Sequence, residues 1–307
     1  MNASFFAFVK ATRPRTYPLA IAGVVVANAL AFSQLGTFSH KQWLIFALTV
    51  WVALGLQILS NLANDYGDGI KGTDEHRTDR QTAQGNLSPS VLKKIIIVWA
   101  GFIFACGVGL LWLSFDNLTE FFTFLAFGIL SIIGAMAYTM GKRPYGYSAK
   151  GEIAVFVFFG LLNVLGGLYL QTQHLRVSDV IASVVVGLLC VCVLMINNMR
   201  DIDDDVKTGK HTLAVMLGKD KVSQLYRFLL LTAFFLLLTF GGLRQNYYLL
   251  SVILLSYPIS KHLSIICQYS DEKITPHQLA PQLKTIVGIT LINSILISLS
   301  ILLFNLN

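Results

Sequence analysis

Val180-Ile-Ala-Ser-Val-Val-Val-Gly-Leu-Leu-Cys-Val-Cys-Val-Leu-Met-Ile-Asn197-Asn198-Met-Arg200-Asp201-Ile-Asp203-Asp204-Asp205 runs twenty residues without a charge and then, after Arg200, places four aspartates in five positions. Taken over 178–198, the apolar part has the roughly 17–25 residues that a helix needs to cross the hydrocarbon of a bilayer. Stretches of the same kind recur at about 17–33, 43–64, 93–114, 121–140, 153–171, 228–243, 246–267 and 285–305. The chain is therefore expected to be an all-α integral membrane protein, with about nine transmembrane helices in one bundle. Its composition agrees: of 307 residues, 55% are hydrophobic and 13% charged, with a mean hydropathy of +0.65, far from an ordinary soluble domain.

Orientation follows from the basic residues, because Lys and Arg beside membrane spans stay on the cytoplasmic side. Only Lys41, Arg176 and Arg244 fall in the connections from odd to even helices, and the other twenty of the 23 Lys and Arg lie on the opposite side. This predicts a cytoplasmic N-terminus and a C-terminus outside. It also accounts for the net charge of +7 as topology, with nothing to suggest nucleic acid. The patch Phe5–Val9 precedes Lys10, Arg13 and Arg15, the reverse of a signal peptide's charge order, so it is expected on the membrane surface. The four cysteines lie in apolar segments without metal or redox spacing, as packed free thiols would. A single domain over 1–307 is expected, as two weakly repeated four-helix halves, about 15–140 and 150–270, plus a ninth helix at about 285–305.

The acidic end of the opening stretch has a counterpart near 65. Nine of the 16 Asp and Glu residues fall in two short segments, at 65–79 and 201–205. Asn61, Asn64, Asp65 and Asp68 are spaced i, i+3, i+4 and i+7, which predicts one helical face. Asn197, Asp201, Asp204 and Asp205, at i, i+4, i+7 and i+8, are likewise expected on one helical face. Magnesium takes oxygen ligands, commonly one or two carboxylates with water and phosphate oxygens. Two such faces suit Mg2+ ions bridging a diphosphate, with Asp65, Asp68, Asp74, Asp201, Asp204 and Asp205 as candidate ligands. Asp203 points off the face. The nearby bases Arg77, Arg80, Lys142, Arg143, Arg200, Lys207 and Lys210 are candidates for diphosphate contact.

These motifs resemble those of the UbiA superfamily of intramembrane aromatic prenyltransferases. Asn64-Asp65-Tyr-Gly-Asp68 with Asp74 is similar to its first aspartate-rich motif. Asn198-Met-Arg200-Asp201-Ile-Asp-Asp-Asp205-Val-Lys207-Thr-Gly-Lys210 is similar to the second. Arg13-Pro-Arg15-Thr-Tyr-Pro18, Asn61 to Asp74 and Tyr138-Thr-Met-Gly-Lys142-Arg143-Pro-Tyr-Gly-Tyr147 resemble the branch that acts on 1,4-dihydroxy-2-naphthoate in menaquinone biosynthesis. Two departures stand out: His76-Arg77-Thr-Asp79-Arg80 replaces the usual loop after Asp74, and Glu152 stands where relatives often have Asp.

The resemblance implies two Mg2+ ions held chiefly by Asp65, Asp68, Asp201 and Asp205, helped by Asn64 and Asn198. It also implies transfer of a polyprenyl group from its diphosphate to 1,4-dihydroxy-2-naphthoate, in the cytoplasmic leaflet of a bacterial inner membrane. Asn61, Tyr138, Tyr147, Lys142 and Arg143 join as expected substrate or catalytic contacts. The alternatives left open are another acceptor within the superfamily, 4-hydroxybenzoate or a haem precursor, and a secondary transporter, whose acids would mark an ion path.

Overall fold

In the computed structural model, residues 3–72, 80–246 and 253–305 are described, and the described backbone is helical throughout apart from its turns. The helices are α1 (Ala3–Ala11), α2 (Tyr17–Leu35), α3 (His40–Ile70), α4 (Pro89–Ser114), α5 (Leu118–Ala137), α6 (Gly151–Thr172), α7 (Val177–Arg200), α8 (Ile202–Lys207), α9 (Leu213–Leu243), α10 (Ser256–Ser270) and α11 (Ala280–Asn305). Local chemistry sets their ends. Ser88 accepts the Val91 amide ahead of Pro89, Asn117 accepts the Thr119 amide, and Thr212 accepts the Val215 amide. α9 turns sharply at Gly218, whose φ of 75° and ψ of 168° break the helix.

Eight helices among the described residues are long and apolar enough to cross a membrane. The expected span at 246–267 is the one without a full-length counterpart. Residues 247–252 lie outside the described part, and α10, at 15 residues, rises only about 22 Å, short of the roughly 30 Å hydrocarbon core.

α7 is the most buried of the eight and α5 the least. Small residues on α7 make its central place possible, because helices in lipid gain stability from close backbone approach rather than from escaping water. Gly187 meets Gly160 of α6 so closely that a Cβ on Gly160 would lie 2.6 Å from the Gly187 Cα. At this crossing α6 is wound as a π-helix over Phe156–Gly166, a form that recurs at functional sites. The main apolar core joins α2, α7, α9 and α11, while two smaller clusters tie α3 to α1, α4, α5 and α6.

One end of the bundle is locked by a buried acid. Asp179, fully buried, takes the Arg244 guanidinium at 3.1 Å, the Gln34 amide at 2.9 Å and the Arg176 backbone N–H at 2.8 Å. The other end of α7 carries the second acidic cluster, roughly 33 Å away by helical rise. Gly160→Val should lower stability by about 1–3 kcal/mol through overpacking against Gly187. Gly101→Ala, whose added methyl meets nothing within 4 Å, should leave the unfolding temperature in detergent unchanged or raised.

Candidate functional site

A cavity of about 930 Å³ opens at the end of the bundle where α3, α5 and α7 finish and α6 and α9 begin. Its walls are mostly apolar, with Leu19, Leu56, Ile103, Phe124 and Leu170 among them. Its polar part gathers Asn64, Asp68, Arg80, Tyr138, Tyr147, Asn198, Asp201, Asp204, Asp205 and Lys210. The two acidic segments thus meet across one cavity, although more than 130 residues separate Asp68 from Asp201.

Asp68 and Asp205 form the centre of the arrangement, and both are nearly inaccessible, at 4% and 7% exposure. The ammonium of Lys210 lies 3.3 Å from an Asp68 oxygen and 3.9 Å from an Asp205 oxygen. Asp68 also accepts the Tyr147 hydroxyl at 2.6 Å and stands 3.9 Å from Arg80. The Tyr147 ring lies under two cations, Lys71 at 4.7 Å and Lys210 at 4.8 Å. Asp205 accepts the Thr212 hydroxyl at 3.3 Å. Burial pushes its carboxyl up to about 7, with the charges of Asp201 and Asp68 adding and Lys210 and Thr212 opposing.

Asn64 and Asn198 also face the cavity. Asn198 gives its amide N–H to Glu152 at 2.9 Å, which leaves the amide oxygen as its remaining acceptor. Glu152 therefore orients a residue of the site without lining the cavity itself.

Other expectations change. The predicted face on α3 is narrower than its spacing suggests: Asn61, Asn64 and Asp68 line the cavity, and Asp65 does not. Successive helical residues turn by roughly 100°, so Asp65 falls on the flank of the face centred on Asn64 and Asp68. Asn61 lines the cavity but gives its amide to the Thr12 carbonyl and the Thr16 hydroxyl, both at 2.8 Å, anchoring the N-terminal turn.

The second face is broken at Asp201, where α7 ends and α8 begins. Arg200, expected on the diphosphate, lines the cavity and grips the Asp201 carboxylate with two hydrogen bonds of 2.6 and 2.5 Å, and Asn197 at 2.9 Å. Asp204 pairs with the exposed Lys207, which does not line the cavity.

Lys142 and Arg143 are exposed on the turn after α5, away from the cavity, because Gly141 at φ 90° swings the chain outward before the buried Pro144. Asp74 and Arg77 lie outside the described residues. Arg13 and Arg15 line the cavity, although sequence reasoning used them for topology and for likeness to the dihydroxynaphthoate branch. Their motif-like spacing, Arg-Pro-Arg-Thr-Tyr-Pro, was the available signal. Tyr145, inside the quoted Tyr138 to Tyr147 motif, lines it as well, as do Gln57, Asn163 and Lys284, which carried no signal.

Among the described residues no three Asp, Glu, His or Cys side chains stand together as a ready metal cage. The oxygen donors nevertheless fit magnesium, which completes its shell with water and phosphate. That Lys210 lies between Asp68 and Asp205 shows that the gap accepts positive charge.

Residues 20–278 match the model of the UbiA prenyltransferase family. Relatives that bear the name 1,4-dihydroxy-2-naphthoate octaprenyltransferase include two that match nearly the whole chain. That from Escherichia coli is 36% identical over 97% of this chain and 95% of its own, and that from Haemophilus influenzae is 38% identical over 94% of each. A solved UbiA homolog from Archaeoglobus fulgidus bound to DMAPP and Mg2+ superposes with a TM-score of 0.57 at 13% identity, covering 94% of this chain and 98% of that one. The chain belongs to the UbiA prenyltransferase family, as a multi-pass membrane protein.

Protons would compete for Asp205 with any divalent cation held there, which sets the sign of a pH effect. As pH rises through about 7 the carboxyl loses its proton, and a metal held there would bind more tightly. The half-saturating Mg2+ concentration should fall between about pH 6 and pH 8, by at most roughly tenfold per unit for one proton. Asp205→Asn should flatten that dependence in metal-activation curves.

Proposed function

We propose that this protein transfers a polyprenyl group from an allylic polyprenyl diphosphate to 1,4-dihydroxy-2-naphthoate, releasing carbon dioxide and forming demethylmenaquinol for menaquinone biosynthesis. The observation that carries the reading is the Asp68–Lys210–Asp205 bridge at the polar part of an otherwise apolar cavity. It supports a site for an anion-headed, long-tailed lipid. The full-length relatives named for this reaction support the acceptor. The acids cluster at helix ends beside bases, an arrangement that favours a phosphorylated ligand over an ion path through the bilayer midplane.

Asp68 and Asp205 would hold the metal, with Asp201, Asp204, Asn64 and Asn198 within the same cavity. Two ions are the reading the two acidic segments support. Magnesium, when bound, supplies positive charge that stabilises the departing diphosphate.

The chain's own residues do the rest. Arg80 and Lys210 shift onto diphosphate oxygens from the carboxylates beside them, and Arg13 and Arg15, which line the cavity, meet the same oxygens. Tyr138, Tyr145 and Phe158 form an aromatic group on the cavity wall: the two tyrosine rings are 5.4 Å apart, edge to face. That wall suits an allylic cation, whose charge is drawn to aromatic faces. The apolar walls keep water from it. The electron-rich naphthoate ring attacks the cation at the carbon that bears the carboxylate. The new C–C bond forms there, the bond to the carboxylate breaks with release of carbon dioxide, and its electron pair restores the ring. The basic mouth recruits diphosphate and naphthoate from the cytoplasmic side of a bacterial inner membrane, while the tail stays in the bilayer.

Purified protein given Mg2+, 1,4-dihydroxy-2-naphthoate and prenyl diphosphates of several lengths should form demethylmenaquinols, identified by mass, with one carbon dioxide per product. Prenylation of 4-hydroxybenzoate in its place would overturn the acceptor. Asp68→Ala and Asp205→Ala should each lower turnover by roughly 100-fold or more, while charge removal at Lys142 and Arg143 should change it less than about threefold.

A further inference from the structure

Asp65 belongs to the first aspartate-rich motif, yet its carboxylate is turned to another task. One oxygen accepts the Thr82 backbone N–H at 2.8 Å and the other the Gln81 backbone N–H at 3.0 Å. The side chain is 1% exposed and does not line the cavity. A carboxylate that receives two adjacent amides is a strong, directional clamp on the backbone between them.

The clamped segment is a tight turn that closes on itself. Gln84 donates to the Arg80 carbonyl at 3.2 Å and Gly85 to the Thr82 carbonyl at 3.0 Å. Asn86 and Leu87 donate to the Gln81 carbonyl at 2.9 and 3.2 Å. Leu87 pins the far end by burying itself in the cluster of α1, α3 and α4. The turn also lies directly on α3: a Cβ on Gly69 would stand 2.7 Å from the Thr82 side chain. Arg80 comes immediately before the clamped pair. It is 5% exposed, lines the cavity and points a guanidinium nitrogen to within 3.9 Å of Asp68.

We propose that Asp65 is a positioning residue: its carboxylate fixes the 80–87 turn so that Arg80 meets the diphosphate, and it takes no part in holding metal. Asp65 and Asp68, three residues apart, thus divide the labour of the motif. One holds a loop, and the other faces the cavity. The inference rests on the reading of the cavity as a polyprenyl diphosphate site.

The test uses the full-length protein with polyprenyl diphosphate, dihydroxynaphthoate and Mg2+. Asp65→Asn keeps the shape but replaces one acceptor oxygen with an NH2 group facing a backbone donor. It should raise KM for the prenyl diphosphate roughly 10-fold or more, with a smaller change in kcat. The half-saturating Mg2+ should stay within about twofold of wild type, since no ligand is lost. Combined with Arg80→Gln, it should add nothing beyond Arg80→Gln alone, because both changes remove the same contact.

Gly69→Ala presses a methyl group on Thr82 without touching any carboxylate, and should show the same raised KM with unchanged metal dependence. It carries the test if Asp65→Asn does not fold. A tenfold rise in half-saturating Mg2+ for Asp65→Asn, or effects of Asp65→Asn and Arg80→Gln that multiply, would overturn the proposal. So would a normal KM in Gly69→Ala. Wild-type protein that fails to turn over these substrates would instead reject the reading of the site itself, before any variant is compared.

Discussion

A carboxylate taken out of water at the edge of a bilayer is costly unless a cation lies against it. In this protein Lys210 meets that requirement for Asp68 and Asp205 together. The constraint fixes much else. α3 and α7 must end at the same level, the chain after α8 must return Lys210 over the cavity, and Tyr147 must come close enough to bond Asp68 and lie under two lysines. Without substrate, the site is held together by internal pairs: Arg200 on Asp201, Arg80 near Asp68, Lys210 between two acids. Each pair joins a group suited to metal with a group suited to phosphate. On the proposed function, a metal–diphosphate complex would satisfy both sets at once, so binding would exchange one network for another and leave no charge stranded.

The fold was legible in its apolar runs, because a bilayer forces spanning segments to be long, uninterrupted and flanked by charge. What the runs do not reveal is how unevenly the helices share burial. α5 is long and apolar enough to span, as α7 is, but only 6% of its apolar stretch is buried inside the protein, against 72% for α7. Small residues such as Gly187 mark the difference, though they become informative only once a partner such as Gly160 is known.

The site was legible in residue type and less so in direction. Helical spacing located Asn64, Asp68, Asp201, Asp204 and Asp205, which all line the cavity, and said less about direction wherever a helix stops. Asp201 lies at the break between α7 and α8, where an i, i+4 pattern no longer describes one face. Lys142 and Arg143 follow a positive-φ glycine that turns them away. Asp65 is separated from its motif neighbours by a fraction of a helical turn and by two amides seventeen residues or fewer downstream. Such long-range backbone partners leave no trace in local spacing. Glu152 shows the converse: a carboxylate noticed only as a departure from its relatives orients Asn198 from behind.

The apolar cavity has an energetic consequence of its own. An apolar ligand entering a pocket from water is drawn in by release from the solvent. A prenyl chain reaching this cavity leaves one hydrocarbon environment for another, so that driving force largely vanishes. On the proposed function, recognition would then be concentrated in the head group, at Asp68, Arg80, Asp205 and Lys210, which line the cavity. The tail's length is judged by whether it fits, through steric exclusion, and contributes little attraction. An enzyme built this way holds its lipid substrate by a few charged contacts at one end and lets the rest remain, in thermodynamic terms, part of the membrane.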